Sequence, residues 1–195
     1  MAKAVSARGG RLGSSASSRF KLDQTIMRVI AGKYRSRVLK SALKLRLRPT
    51  SDRLRETLFN VLGALVEDSL FIDLFAGTGA VGIEAISRGA REVVFIESHA
   101  AGVRLIRRNL ESLGIRAGVD VIETDAVRGL ETLSSRRLAA DFIFLDPPYD
   151  NEEDYVRVLE FLDASHLIAP RGFVDRKSTR LNSSHFQVSR MPSSA

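Results

Sequence analysis

The 195-residue chain contains no cysteine. That excludes a disulfide framework and a thiolate metal site, and it fits a reducing compartment, so a cytoplasmic protein is expected. No apolar run approaches the ~20 residues of a membrane span. The N-terminus has no apolar signal-peptide core, so neither membrane insertion nor secretion is expected. Histidine is scarce, and His99, His166 and His185 are too scattered to form a site. Acid is nearly missing from the first 50 residues, where Asp23 stands against 13 Lys and Arg, a balance of +12. Residues 51–175 invert this with 13 Arg and 22 acids, a balance of −9, and the last 20 residues add +4, leaving +7 overall. A basic arm on an acidic body points to a polyanionic partner met by the arm. A merely solvated tail would carry the same charge. Hydrophobic content of 44% and this length suit one domain with a proper core.

Four segments are expected. Residues 1–24 are rich in Gly, Ser and Arg and bury too little to offset ordering entropy, so they read as a disordered basic tail. Residues 25–50 read as a basic hairpin. Ile26, Arg28 and Ile30 alternate with Met27, Val29 and Ala31, and the turn Gly32 to Arg37 carries Lys33, Arg35 and Arg37 beside Tyr34. Such a tip can grip RNA phosphates and stack a base. Pro49 then disfavours helix at Arg48, Thr50 or Ser51 can cap, and Leu54, Leu58, Val61, Leu62 and Leu65 form one apolar stripe. Arg48, Arg53 and Arg55 cluster at that start; Arg53 and Arg55 could equally be ordinary partners of Asp52 and Glu56. Residues 51–175 alternate strands and helices, which implies a doubly wound α/β sheet with ligands at the carboxyl ends of its strands. On one of those helices Arg104, Arg107 and Arg108 occupy the outer face as solvated side chains. Residues 176–195 carry six serines and no period, and read as sequence foreign to the fold.

The chain is organised around Phe71 to Gly82, a strand, a turn through Gly77 and Gly79, and a helix. Gly77-Thr-Gly79-Ala-Val-Gly82 fits the dinucleotide pattern G-x-G-x-x-G, so a nicotinamide enzyme has to be considered. Asp73, at the strand tip, would repel a pyrophosphate and attract a cationic amino-acid moiety. That favours S-adenosyl-L-methionine, which carries an ammonium and a sulfonium and no phosphate. Glu97 ends the second strand, where a carboxylate can accept both ribose hydroxyls. Asp125, before Ala126, could accept from an adenine amine or serve as a helix N-cap. Asp73, Glu97, Asp125 and Asp146 all fall at strand ends.

Asp146-Pro147-Pro148-Tyr149 supplies the chemistry. Two prolines fix the backbone and remove two N–H donors, leaving a carboxylate, carbonyl acceptors and an aromatic ring. Such a site suits a planar group bearing an NH₂. Acceptors that bond both N–H groups aim the nitrogen lone pair at a methyl donor, and alignment lowers the barrier further. No metal is required.

The chain resembles the RsmD family of bacterial 16S rRNA (guanine-N(2))-methyltransferases over roughly residues 27–174. The resemblance rests on Met27 to Arg35, Leu47 to Asn60, Asp73 to Gly79 with Glu84 to Gly89, and Asp146 to Tyr149. It implies a Rossmann-like S-adenosylmethionine-dependent methyltransferase and a 2-amino group of guanine in small-subunit rRNA as target. The substrate context it implies is an assembling small ribosomal subunit, met by a monomer. By resemblance, Asp146, Pro147 and Tyr149 hold the guanine. Asp73, Phe75, Gly77, Gly79, Glu97, Asp125 and Ala126 bind the cofactor. Lys33, Arg35, Arg37, Arg48, Thr50 and Arg53 meet RNA and help close the pocket. The family would continue past Val174 with further strands, so this sheet is expected to lack its last strands and to be marginally stable and poorly active. A DNA adenine methyltransferase would share the Asp-Pro-Pro-Tyr turn. A non-catalytic RNA-binding protein would share the basic hairpin, and a nicotinamide oxidoreductase the glycine turn.

Overall fold

The computed structural model describes residues 27–41, 52–147, 152–177 and 186–189. Arg48, Thr50, Pro148, Tyr149 and the 1–24 segment lie outside them. After a hairpin at 27–41, the elements run α1 (Asp52–Leu62), β1 (Leu70–Asp73), α2 (Ala80–Ser87), β2 (Glu92–Glu97), α3 (Ala100–Leu113), β3 (Val119–Glu123), α4 (Ala126–Ser135), β4 (Ala140–Leu145), α5 (Glu152–Ala164), β5 (Ile168–Lys177) and β6 (Phe186–Ser189). The sheet order is β3-β2-β1-β4-β5-β6. The first five strands are parallel, with Ile72 opposite both Val94 and Ile143, and β6 is antiparallel to β5. β1, β2 and β4 are apolar on both faces because helices cover both sides, the pattern of a parallel α/β sheet. This is the Rossmann-like architecture expected of a methyltransferase.

Two cores result. One packs Phe59, Phe71, Phe95, Ile83, Ile106, Phe142 and Phe144 beneath α1, α2, α3 and the hairpin, and the other packs Ile72, Ile96, Leu130, Ile143, Val158 and Leu162 beneath α4 and α5. Helix ends follow local signals. Gly114 closes α3 in the left-handed region with φ 71°. Asp125 caps α4, its side chain accepting from the Arg128 N–H. No helix among the described residues is long and apolar enough to cross a membrane.

Two expectations are corrected. The stripe on α1 does not continue to Leu65. Gly63, with φ 54°, ends the helix into a 3₁₀ turn, leaving Val61 and Leu65 exposed, and the buried face consists of Arg55, Leu58, Phe59 and Leu62. The sheet also does not stop short of residue 176. β5 runs on to Lys177, and β6 pairs with it from Val174↔Ser189 to Lys177↔Phe186. An edge strand offers unpaired N–H and C=O groups to any extended segment, so this pairing demands little of the side chains that supply it.

Candidate active site

The glycine turn that follows β1 lies where the carboxyl ends of β1, β2 and β4 meet. Gly77 and Gly79 have φ of 53° and 76°, conformations that side chains disfavour, and Gly79 opens α2. The N–H groups of Gly77 and Gly82 are already engaged by acids. Glu97 Oε2 accepts from the Gly77 N–H at 2.7 Å, and Asp73 Oδ2 accepts from the Gly82 N–H at 2.9 Å. A dinucleotide site would offer such N–H groups to a pyrophosphate. Here two carboxylates occupy them, and the local charge is negative.

Asp73 is fully buried, and its carboxyl is pushed up to about 7. Burial is the main cause. The Gly82 N–H opposes it, and the neighbouring Asp146 and Glu97 add to it by repulsion. Three acids from three adjacent strands therefore converge on one place. Glu97 is itself buried, and its second oxygen accepts from the His99 N–H at 2.8 Å. Each carboxylate oxygen has a further lone pair for a ligand hydroxyl. Asp146 and Pro147 are half-buried at the end of β4, and Phe75 is partly buried against the second core. Asp125 is exposed and serves as the α4 cap, with Arg128 Nε 3.5 Å from its free oxygen, while Ala126 is buried.

The hairpin is stapled to this centre. Val29 and Leu39 bond across it to Arg37 and Met27, and Met27, Val29 and Leu39 join the first core. Buried Glu84 on α2 accepts from the N–H groups of Ile30 and Ala31 at 2.8 and 3.0 Å and from Arg88 Nε at 2.8 Å. Buried Asn109 on α3 accepts from the Lys40 N–H and donates to the Lys40 carbonyl and to the Thr78 carbonyl in the glycine turn. Arg55 donates to the carbonyls of Arg28 and Ala80 and to Asp52, so the expectation that it pairs with Asp52 holds, whereas Arg53 is exposed.

At the tip, the Lys33 N–H donates to the Ser87 carbonyl, and a Cβ on Gly32 would overlap that carbonyl. Ser87 ends α2, about 12 Å from its glycine turn at 1.5 Å per residue. Lys33 and Arg35 therefore lie at the far end of α2 from Asp146. They are exposed, but the expectation that they help close the pocket is corrected: the tip is anchored to the flank, and only the hairpin's two ends approach the turn.

Sequence reasoning missed three residues that shape the site. Glu84 and Asn109 could have been suspected as polar residues inside apolar helical stripes. Gly102 interrupts α3, and a Cβ there would press on Glu97 Cγ and Cδ at 2.8 and 2.9 Å. A glycine inside a helix costs about 1 kcal/mol, so it asks for a reason, and here the reason is room for Glu97.

The family described as "Conserved hypothetical protein 95" matches residues 27–190. The chain belongs to that family. The resemblance to RsmD proteins drawn from the sequence is borne out by its relatives. It is 34% identical over 148 residues to "Putative rRNA methyltransferase YlbH" of Bacillus subtilis, covering 76% of this chain and 80% of that one. It is 36% identical over 137 residues to "Ribosomal RNA small subunit methyltransferase D" of Escherichia coli, covering 69% and 67%. Among solved structures, "Putative methyltransferase yhhF from Escherichia coli" superposes with a TM-score of 0.67 at 28% identity, covering 82% of this chain and 86% of that one. Fold and relatives together make this chain a methyltransferase homologue.

Proposed function

We propose that the chain transfers a methyl group from S-adenosyl-L-methionine to the exocyclic 2-amino group of a guanine in 16S rRNA. The observation that carries the cofactor is the convergence of Asp73, Glu97 and Asp146 at a turn where acids take the N–H groups of Gly77 and, in the first turn of α2, Gly82. That donor set fits a cation and disfavours a phosphate. When bound, the cofactor supplies an electrophilic methyl on a positively charged sulfur. Glu97 would accept from the ribose hydroxyls, and Asp73 would set the negative field for the ammonium. The free capacity of Asp125 and the backbone at Ala126 would hold the adenine. Asp146 and the Pro147 carbonyl would accept from the target NH₂, turn its lone pair towards the methyl, and take up the proton that the alkylated nitrogen sheds. Tyr149 would stack on the base.

The rRNA target is supported by the relatives' names and by the basic hairpin, with Lys33, Arg35, Arg37, Arg48, Thr50 and Arg53 as its proposed contacts. The proposed setting is cytoplasmic, on an assembling small subunit, with the chain acting as a monomer. We also propose that residues 176–195 are foreign to the native fold. Asp175, the last residue before them, supports this: it is buried on β5 with neither carboxylate oxygen bonded, and its carboxyl is raised to about 7 by burial and by Asp146.

The test is to incubate purified chain with labelled S-adenosyl-L-methionine and unmethylated small-subunit RNA or subunit particles, with naked DNA alongside, and to map the product base. N2-methylguanine in rRNA is expected, at a rate lowered by the foreign C-terminal tail. Label in DNA adenine, or none in any substrate despite cofactor binding, overturns the proposal.

A further inference from the structure

We infer that α3 carries a second stretch of RNA-binding surface, a row formed by Arg104 and Arg108 that continues the hairpin along the flank towards the cofactor end of the molecule. This rests on the proposed RNA substrate. The link is Arg37, whose Nη2 donates to the Ser112 carbonyl at 3.2 Å and so seats the hairpin on α3. Ser112, Arg108 and Arg104 are spaced four apart, so they form one stripe, each step rising about 6 Å and turning about 40°. All three are exposed.

The row has a direction. α3 begins at Ala100, directly after His99, whose N–H is bonded to Glu97. Arg104 therefore sits about one turn from the cofactor end, and Ser112 about 12 Å further along. Among the described residues no ion pair engages Arg104 or Arg108, as is also true of Arg35, Arg53, Arg107, Arg116, Arg137 and Arg171, whereas Arg55, Arg88, Arg91, Arg128, Arg136 and Arg157 are paired, so what sets the two apart is their place in line with Arg37. Glu111, the exposed acid on the same helix, is three residues from Arg108 and four from Arg107, and among the described residues no ion pair joins it to either. Unpaired guanidiniums in file are what a phosphate backbone recognises.

Arg107 supplies the internal control. It lies on the same helix with the same charge and exposure, but about 140° around the axis from Ser112, the residue that seats Arg37, against about 40° for Arg108 and about 80° for Arg104. The experiment measures binding of 16S rRNA by the full chain against salt concentration for wild type, Arg104→Ala/Arg108→Ala and Arg107→Ala. Calorimetry with S-adenosylhomocysteine reports the integrity of the cofactor site in each. Each lost phosphate contact flattens the slope of log K against log salt by about 0.7–0.9, so the double variant is expected to flatten it by about 1.5 with S-adenosylhomocysteine binding unchanged. Arg107→Ala is expected to keep the wild-type slope. An unchanged slope in the double variant overturns the inference, as does an equal fall per charge in Arg107→Ala. The slope is readable even if the wild type methylates another base, so failure of the proposed reaction is distinguishable from failure of the row.

Discussion

Two aspartates on one sheet are both buried and raised to about the same value, yet they sit in opposite situations. Asp73, on β1, bonds the Gly82 N–H and faces a second acid that also holds the glycine turn. Asp175, on β5, has both oxygens buried and unbonded. Around β1 nearly every buried polar side chain has a partner from a distant segment: Glu84 holds the hairpin, Ser87 its tip, and Asn109 both hairpin and turn. On β5 the same burial is uncompensated. Burial of a carboxyl alone therefore does not mark a site. A site is where the desolvated acid is held in position and other acids are aimed at the same spot.

The sharpest way to test the β1 side is through its neighbour on β4. Asp146→Ala is expected to lower kcat for methyl transfer by about 10³-fold while leaving S-adenosylhomocysteine affinity within a few-fold. An equal loss of cofactor affinity would show that Asp146 belongs to the cofactor and not to the base. Next in size, Glu84→Ala strips three bonds from a fully buried acceptor and leaves Arg88 without its partner. A loss of about 3 kcal/mol is expected in denaturant unfolding. On β5 the sign reverses. Asp175→Val is expected to gain about 2 kcal/mol, because it removes an unsatisfied buried group from a strand. A loss of stability would reveal a partner for Asp175 and dissolve the contrast.

The remaining contrast is in pH. Both folded-state carboxyls are raised from 3.8 to about 7. Between those values the folded state binds more protons than the unfolded one, so stability falls as pH rises from about 4 to about 7. Asp175→Val is expected to make that fall shallower. Saturation with S-adenosyl-L-methionine is expected to do the same by favouring ionised Asp73, with binding that strengthens as pH rises through about 7. Unfolding curves across the range from acid to mildly alkaline pH, with and without ligand, read both.

The strand-tip acids were legible because each ends an apolar run of fixed length, and a parallel sheet must gather such ends on one edge. The Gly77–Gly79 turn was legible for the same local reason. What could not be read came from contacts distant in sequence. Glu84 meets Ile30 across 54 positions and Asn109 meets Lys40 across 69, so a polar residue within an apolar stripe was visible in each case but its partner was not. The hairpin's basic tip was visible, but its place beside Ser87 was not, because that depends on how the strand pair lies across α2. Leu65 was misassigned through Gly63, one residue that ends a helix the apolar period would have continued. Asp125 shows the limit of a tip argument: the carboxylate proposed to meet a ligand is seen to cap a helix.

A hairpin fastened at its tip by Ser87 and at its base by Asn109 cannot swing open and shut. On the proposed reading it works as a caliper. Whatever RNA lies along that rigid flank must present a base at a set offset from it, so targets would be chosen by the contour of the folded RNA rather than by spelling, and a correct sequence held in the wrong shape would go unmodified.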